Sequence, residues 1–113
     1  DLLAANILDD GGQLWLIDWE YGGFNTPLFD LAGLAGNNGL SVVQEQEMLG
    51  QYFKQDWQNY WRPYNAMKCA SLMRETLWSM VSEIYSEIDF DYAAYTVENL
   101  NRFNVAMSDF KNT

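Results

Sequence analysis

Asn6-Ile7-Leu8-Asp9-Asp10-Gly11-Gly12-Gln13-Leu14-Trp15-Leu16-Ile17-Asp18 is the stretch from which the fold of this 113-residue chain is read. Asn6-Ile7-Leu8 has the make-up of a short strand. Asp9-Asp10-Gly11-Gly12 carries turn chemistry, with glycines free to take positive φ. Gln13 to Asp18 reads as the returning strand. Its apolar residues fall on both faces, which predicts burial on both sides. The stretch is therefore expected to form a β-hairpin. Such a hairpin returns the end of its second strand to the start of its first, so Asn6 and Asp18 become neighbours, with the loop bearing Asp1 alongside.

Outward from the hairpin the pattern turns helical. Trp19 to Asn25 reads as a loop containing Gly22-Gly23. Thr26 can cap a helix with Pro27 at its first position, running through Leu28, Leu31, Leu34 and Ala35 to Gly36-Asn37-Asn38-Gly39. Ser41 caps a second helix over about 42–54. A third and longest helix is predicted over about 63–87, with an apolar stripe of Ala66, Ala70, Met73, Leu77, Met80 or Val81, and Ile84. Asp89 or Asp91 starts a fourth, with Ala94, Val97, Leu100, Phe103 and Met107 on one side. The expected fold is mainly α with a small β-hairpin.

Composition narrows the function classes. Nearly half the residues are apolar, so the chain can build a core and is not of the disordered type. Sixteen acids stand against six Lys and Arg, a formal charge of −10. That argues against a nucleic-acid partner, which needs a basic surface to displace counterions. It is compatible with a cationic ligand, with bound metal, or simply with solubility. Cys69 is the only cysteine, so no disulfide forms within the chain; its apolar helical setting predicts a small buried filler. No apolar run reaches the length of a membrane span.

Asp1, Asn6 and Asp18 frame the hairpin. The spacing Asp-x4-Asn, followed by a turn, an apolar strand and another Asp, matches the catalytic loop and metal-binding Asp of kinases. Phosphoryl transfer needs Mg²⁺ to neutralise phosphate charge, and Mg²⁺ takes hard oxygen ligands. Spacing alone also allows a chain terminus, a turn residue and a strand-end cap.

The resemblance is more specific. Asp1-Leu2-Leu3-Ala4-Ala5-Asn6-Ile7-Leu8, then Leu14-Trp15-Leu16-Ile17-Asp18-Trp19-Glu20-Tyr21, resembles the two signature segments of the choline/ethanolamine kinase-like branch of the aminoglycoside phosphotransferase superfamily. Pro27 to Ala32 resembles that family's next helix. Leu77-Trp78-Ser79-Met80, with Ile88-Asp89-Phe90-Asp91-Tyr92 and Tyr95, resembles a third block. The resemblance implies the C-terminal lobe of a protein kinase-like fold, with the N-terminal lobe missing and the isolated chain inactive. It divides the chain into a catalytic loop, hairpin and metal-binding loop over 1–25 and a helical substrate-binding subdomain over 26–113. It implies a cytoplasmic enzyme that uses ATP and Mg²⁺, with ATP held mostly by the missing lobe. Asp1 resembles the catalytic base, Asn6 and Asp18 resemble metal ligands, and Glu20 stands where the family has an acid close to metal and substrate. The family's catalytic-loop His would precede Asp1, and the chain contains no His.

The implied substrate is a small cationic amino alcohol. A quaternary ammonium has no hydrogen to donate and is recognised by aromatic faces and nearby carboxylates. Tyr21, Trp78, Phe90 and Tyr95 stand at the family's aromatic pocket positions. Trp78 shares a helix face with Glu75, Ser82 and Tyr85, off the apolar stripe, which suits a ligand wall; packing is the alternative. Glu75 departs from the family, which often has a second Trp there. It could attract a cation, or favour a primary amine such as ethanolamine. Aminoglycoside or thiamine as substrate, and a non-catalytic pseudokinase-like module, stay open.

Overall fold

The computed structural model describes residues 2–19 and 22–113. After a 3-10 turn at Ala4–Asn6 come β1 (Ile7–Asp9) and β2 (Leu14–Leu16), then α1 (Pro27–Asn38), α2 (Val42–Phe53), a 3-10 stretch at Lys54–Tyr60, α3 (Trp61–Tyr85) and α4 (Tyr92–Lys111). The chain is thus mainly helical with one small antiparallel hairpin.

The hairpin forms where its turn residues dictate. Asp9 accepts the Gly11 N–H at 2.9 Å, and Asp10 Oδ1 accepts those of Gly12 and Gln13 at 2.9 and 2.8 Å. Gly11 takes φ 89°, a conformation open to glycine and costly for side chains. The Trp15 indole N–H donates to Asp10 Oδ2 at 2.9 Å. That bond first, then the backbone donors, holds the Asp10 carboxyl below its ordinary range. Ile7 pairs with Leu16, Leu8 with Trp15 and Asp9 with Leu14. The second strand is shorter than its composition suggests, and the expected burial on both sides is not found: Leu14, Trp15, Leu16 and Ile17 are all exposed. A two-stranded ribbon cannot cover its own faces.

Helix starts follow their caps. The Thr26 hydroxyl accepts the Leu28 N–H with Pro27 at N1, and α1 ends at Gly39 with φ 65°. Ser41 and Gln44 form a reciprocal capping box on α2, worth about 1 kcal/mol. Asp91 rather than Asp89 caps α4, accepting the Ala94 N–H at 3.0 Å.

The core gathers around α3. Ala32 and Ala35 of α1, Leu49 of α2 and Tyr64 of α3 are buried together, with Trp57 and Trp61 packed against them. The Tyr64 hydroxyl has no close hydrogen-bond partner among the described residues. Burial, and then the nearby Glu45 carboxylate, pushes its pKa well above the ordinary tyrosine range. Lys68 pairs with the buried Glu45 of α2. Cys69 is buried with Leu72 and Ala106, as its setting predicts.

One helix face differs from expectation. The stripe Leu77, Met80, Val81 and Ile84 is exposed, by 74% at Ile84. The buried face of α3 instead holds Tyr64, Asn65, Cys69, Leu72, Thr76 and Ser79. Thr76 donates back to the Leu72 carbonyl, and Ser79 to the Tyr92 carbonyl at 2.9 Å. Small side chains whose hydroxyls are satisfied on the backbone bury at little cost and let α4 lie close. No helix among the described residues is long and apolar enough to cross a membrane.

Candidate functional site

The hairpin and the helical part meet through Asn38, the last residue of α1. Its side chain accepts the Ala4 N–H at 2.8 Å and donates to the Leu2 carbonyl at 2.7 Å. The same amide donates to the Leu34 carbonyl of its own helix. The segment that leads into the hairpin is therefore clamped to the end of a helix. Nothing in the sequence singled Asn38 out beyond its place in a helix-ending Asn-Asn pair.

Asn6 and Asp18 are brought to the same end of the hairpin. The Ile17 N–H donates to the Asn6 carbonyl at 2.9 Å, extending the ladder one pair past Ile7 and Leu16, so Asp18 follows directly. Asp18 takes φ 63°. A non-glycine residue in the left-handed region carries strain, which Asp tolerates better than most. Asp1, Glu20 and Tyr21 lie outside the described residues. No cluster of three or more acid, His or Cys ligands occurs among the described residues. Asn6 with Asp18 suits Mg²⁺, which commonly takes one or two protein carboxylates and leaves its other positions to phosphate and water.

The helical half of the site is a cavity of about 400 Å³ between α3 and the start of α4. Four residues singled out in the sequence line it together: Glu75, Trp78, Phe90 and Tyr95. Trp78 and Glu75 face it because they lie three residues apart on α3. Phe90 and Tyr95 reach it because α3 stops at Tyr85 and α4 begins at Tyr92, folding the short connection over the helix. Arg74 and Tyr92 also line it, with Leu3 and Ile88 at its margin. Neither Arg74 nor Tyr92 was assigned a role from sequence. The signals available were helical spacing, four residues from Arg74 to Trp78, and the aromatic run at 90, 92 and 95.

The rings meet edge to face. Trp78 lies 5.8 Å from Tyr92 and 6.5 Å from Tyr95; Phe90 lies 4.9 Å from Tyr92 and 5.8 Å from Tyr95. Edge-to-face packing of this kind holds the four rings together as one wall of the cavity. The Tyr95 hydroxyl donates to Glu75 Oε1 at 2.8 Å. Burial, then that hydrogen bond, pushes the Tyr95 pKa up to about 12. The carboxylate is thus held in place with its second oxygen still able to accept.

Two further cavities continue the line. Arg74 is shared with a polar one of about 300 Å³ that includes Asn25, Asp30 and Ser71. Asn25, Phe29 and Asp30 are shared in turn with one of about 390 Å³ that reaches Asp18 and Trp19. The surface depressions run from Asp18 to Trp78 with residues in common at each step.

The sequence is similar to ethanolamine kinases and to a protein named LicA. It is 29% identical over 128 residues to ethanolamine kinase 2 of Mus musculus, covering 91% of this chain and 32% of the relative. It is 27% identical over 105 residues to the protein LicA of Haemophilus influenzae, covering 89% of this chain and 39% of the relative. The human ethanolamine kinase 2 is also 29% identical, over 124 residues, with 91% of this chain and 32% of the relative covered. The chain spans about a third of the length of these curated relatives. No family model and no solved structure matches it.

Proposed function

We propose that this chain is part of an ATP-dependent kinase that phosphorylates the hydroxyl of a small cationic amino alcohol. The observation that carries the reading is the convergence of Glu75, Trp78, Phe90 and Tyr95, chosen from sequence, on one aromatic cavity with a fixed carboxylate. A cation entering it meets an aromatic lining, which attracts cations through ring faces, and the Glu75 carboxylate. Similarity to ethanolamine kinases supports the same reading.

In this reading Asp1 accepts the proton of the substrate hydroxyl. Asn6, Asp18 and Glu20 hold Mg²⁺, which neutralises charge on the phosphates of ATP when bound. Tyr21, Trp78, Phe90, Tyr95 and Glu75 hold the amine, and the Asn38 clamp orients the loop behind Asp1. The three lysines, Lys54, Lys68 and Lys111, all lie on helical segments, none on a strand beside the phosphates as kinases require. The 113-residue chain by itself is therefore expected to turn over no ATP.

The test is ADP release by the whole kinase that this reading makes the chain a part of, with ethanolamine, choline, thiamine and kanamycin in parallel. Turnover with an amino alcohol, lost in Asp1→Ala and Asp18→Ala variants that still fold, supports the reading. Trp78→Ala should raise KM for the amine about fivefold or more, since a cation–π contact is worth about 1 kcal/mol or more. No turnover with any of the four, or unchanged turnover in Asp1→Ala, refutes it.

A further inference from the structure

One face of α3 carries more than an amine site. Ser71, Arg74, Glu75 and Trp78 are spaced three and four residues apart, Arg74 and Glu75 being adjacent, so they share one broad face of the helix. Glu75 and Trp78 line the aromatic cavity; Ser71 lines the adjoining polar cavity; Arg74 lines both. Beside the groups suited to a cation stand a guanidinium, one turn back from Trp78, and a hydroxyl, one turn back from Glu75. These are the groups that hold anions, and arginine does so with paired, charge-assisted donors.

The molecule with that charge pattern is the phosphorylated product of the reaction proposed above. A phosphorylated two-carbon amino alcohol keeps its cation and gains an anion roughly one helical turn away, about 5 Å. We propose that Arg74, with Ser71 behind it, forms the anion subsite for the phosphate of the phosphorylated amine, so that one helix face holds both ends of the product. This rests on the amino alcohol reading. Arg74 is already engaged within the chain, and its five N–H donors allow an anion to be added. Asp30 lies in the same polar cavity. The cavity therefore carries both signs, and a free phosphate without the cationic end gains little there.

The subsite makes Arg74 a discriminator between product and substrate. Arg74 is exposed, so replacing it leaves the core untouched. The experiment is calorimetric titration of the protein with ethanolamine, phosphoethanolamine and inorganic phosphate, on the unaltered protein and on Arg74→Gln, Arg74→Lys and Trp78→Ala. Arg74→Gln should weaken phosphoethanolamine about tenfold, the loss of one charge-assisted contact, and should not weaken ethanolamine, whose charge has the same sign as the guanidinium removed. Arg74→Lys should recover part of the loss, Trp78→Ala should weaken both ligands, and inorganic phosphate should give no measurable binding at the same concentrations. Equal losses for both ligands in Arg74→Gln, or none for phosphoethanolamine, overturn the subsite while leaving the amine cavity standing. Absence of binding by ethanolamine and phosphoethanolamine alike in the unaltered protein overturns the subsite and the amino alcohol reading together.

Discussion

The hydroxyl of Tyr95 donates to Oε1 of Glu75 at 2.8 Å, joining the first turn of α4 to the middle of α3 at the wall of the aromatic cavity. The bond ties the wall of that cavity to stability. The Tyr95 pKa rises from 10.0 to about 12, through burial first and the Glu75 carboxylate second. A pKa raised on folding means the native state holds the proton more tightly, so the contribution is full below about pH 10 and is lost as pH climbs to about 12. Thermal unfolding of the unaltered protein should therefore fall more steeply between pH 10 and 12 than that of Tyr95→Phe. Parallel curves across that window would contradict the coupling.

Asp18 offers a trade between strain and chemistry. Its φ of 63° suits glycine better than any side chain. Asp18→Gly should raise stability by up to about 1 kcal/mol in urea unfolding while abolishing ADP release. A variant that stays active would remove Asp18 from the metal site; one that is less stable would show its side chain to be a structural tie.

The Asn38 clamp predicts a separation of rate from binding. Asn38→Ala removes the acceptor for the Ala4 N–H and the donor to the Leu2 carbonyl. Asn38 hydrogen-bonds none of the polar or aromatic groups lining the aromatic cavity, and reaches that cavity's margin only through Leu3, which lies between Leu2 and Ala4. Steady-state kinetics should show kcat reduced about tenfold or more, as misplaced catalytic groups lose rate steeply, with KM for the amine within about twofold. A change confined to KM would place Asn38 on the binding side instead.

The Glu45–Lys68 pair is the buried charge most exposed to disruption. Glu45 is 1% exposed and Lys68 18%. Lys68→Met leaves a carboxylate buried without its partner and should cost about 3 kcal/mol in urea unfolding. Adding Glu45→Gln to it should restore much of that loss. Additive losses in the double variant would mean that the two charges act independently.

Helix starts and the hairpin turn were legible because their signals are local. Thr26-Pro27, Ser41 with Gln44, and Asp91 each satisfy the first N–H groups of the helix they open. The 3-10 stretch at Lys54–Tyr60 carries no comparable signal, and Phe53 stacks on Tyr60 across it at 3.8 Å, a tertiary contact. The buried face of α3 was misread because hydrophobicity alone ranks Leu77 and Ile84 above Thr76 and Ser79. Close approach of α4 and hydroxyls satisfied on the backbone reverse that ranking. In the candidate site, Trp78, Phe90 and Tyr95 were singled out by motif resemblance, Trp78 also by lying off the apolar stripe, and Glu75 as a departure from the family's second Trp. Arg74 lies between two cavities and Asn38 bonds across elements, relations that no spacing rule in one segment can express.

Because Ser71, Arg74, Glu75 and Trp78 share one face of a single helix, length matters there as much as identity. Each residue of an α-helix advances about 100° around the axis. Inserting or deleting one residue just after Trp61, at the start of α3, would leave each later side chain well formed and swing the whole row about a quarter turn from its partners. The same slip would carry the exposed Leu77, Met80, Val81 and Ile84 toward new neighbours. Within that stretch, inheritance can exchange letters one at a time and retune the ligand, whereas a change in their number rewrites the helix in a single event.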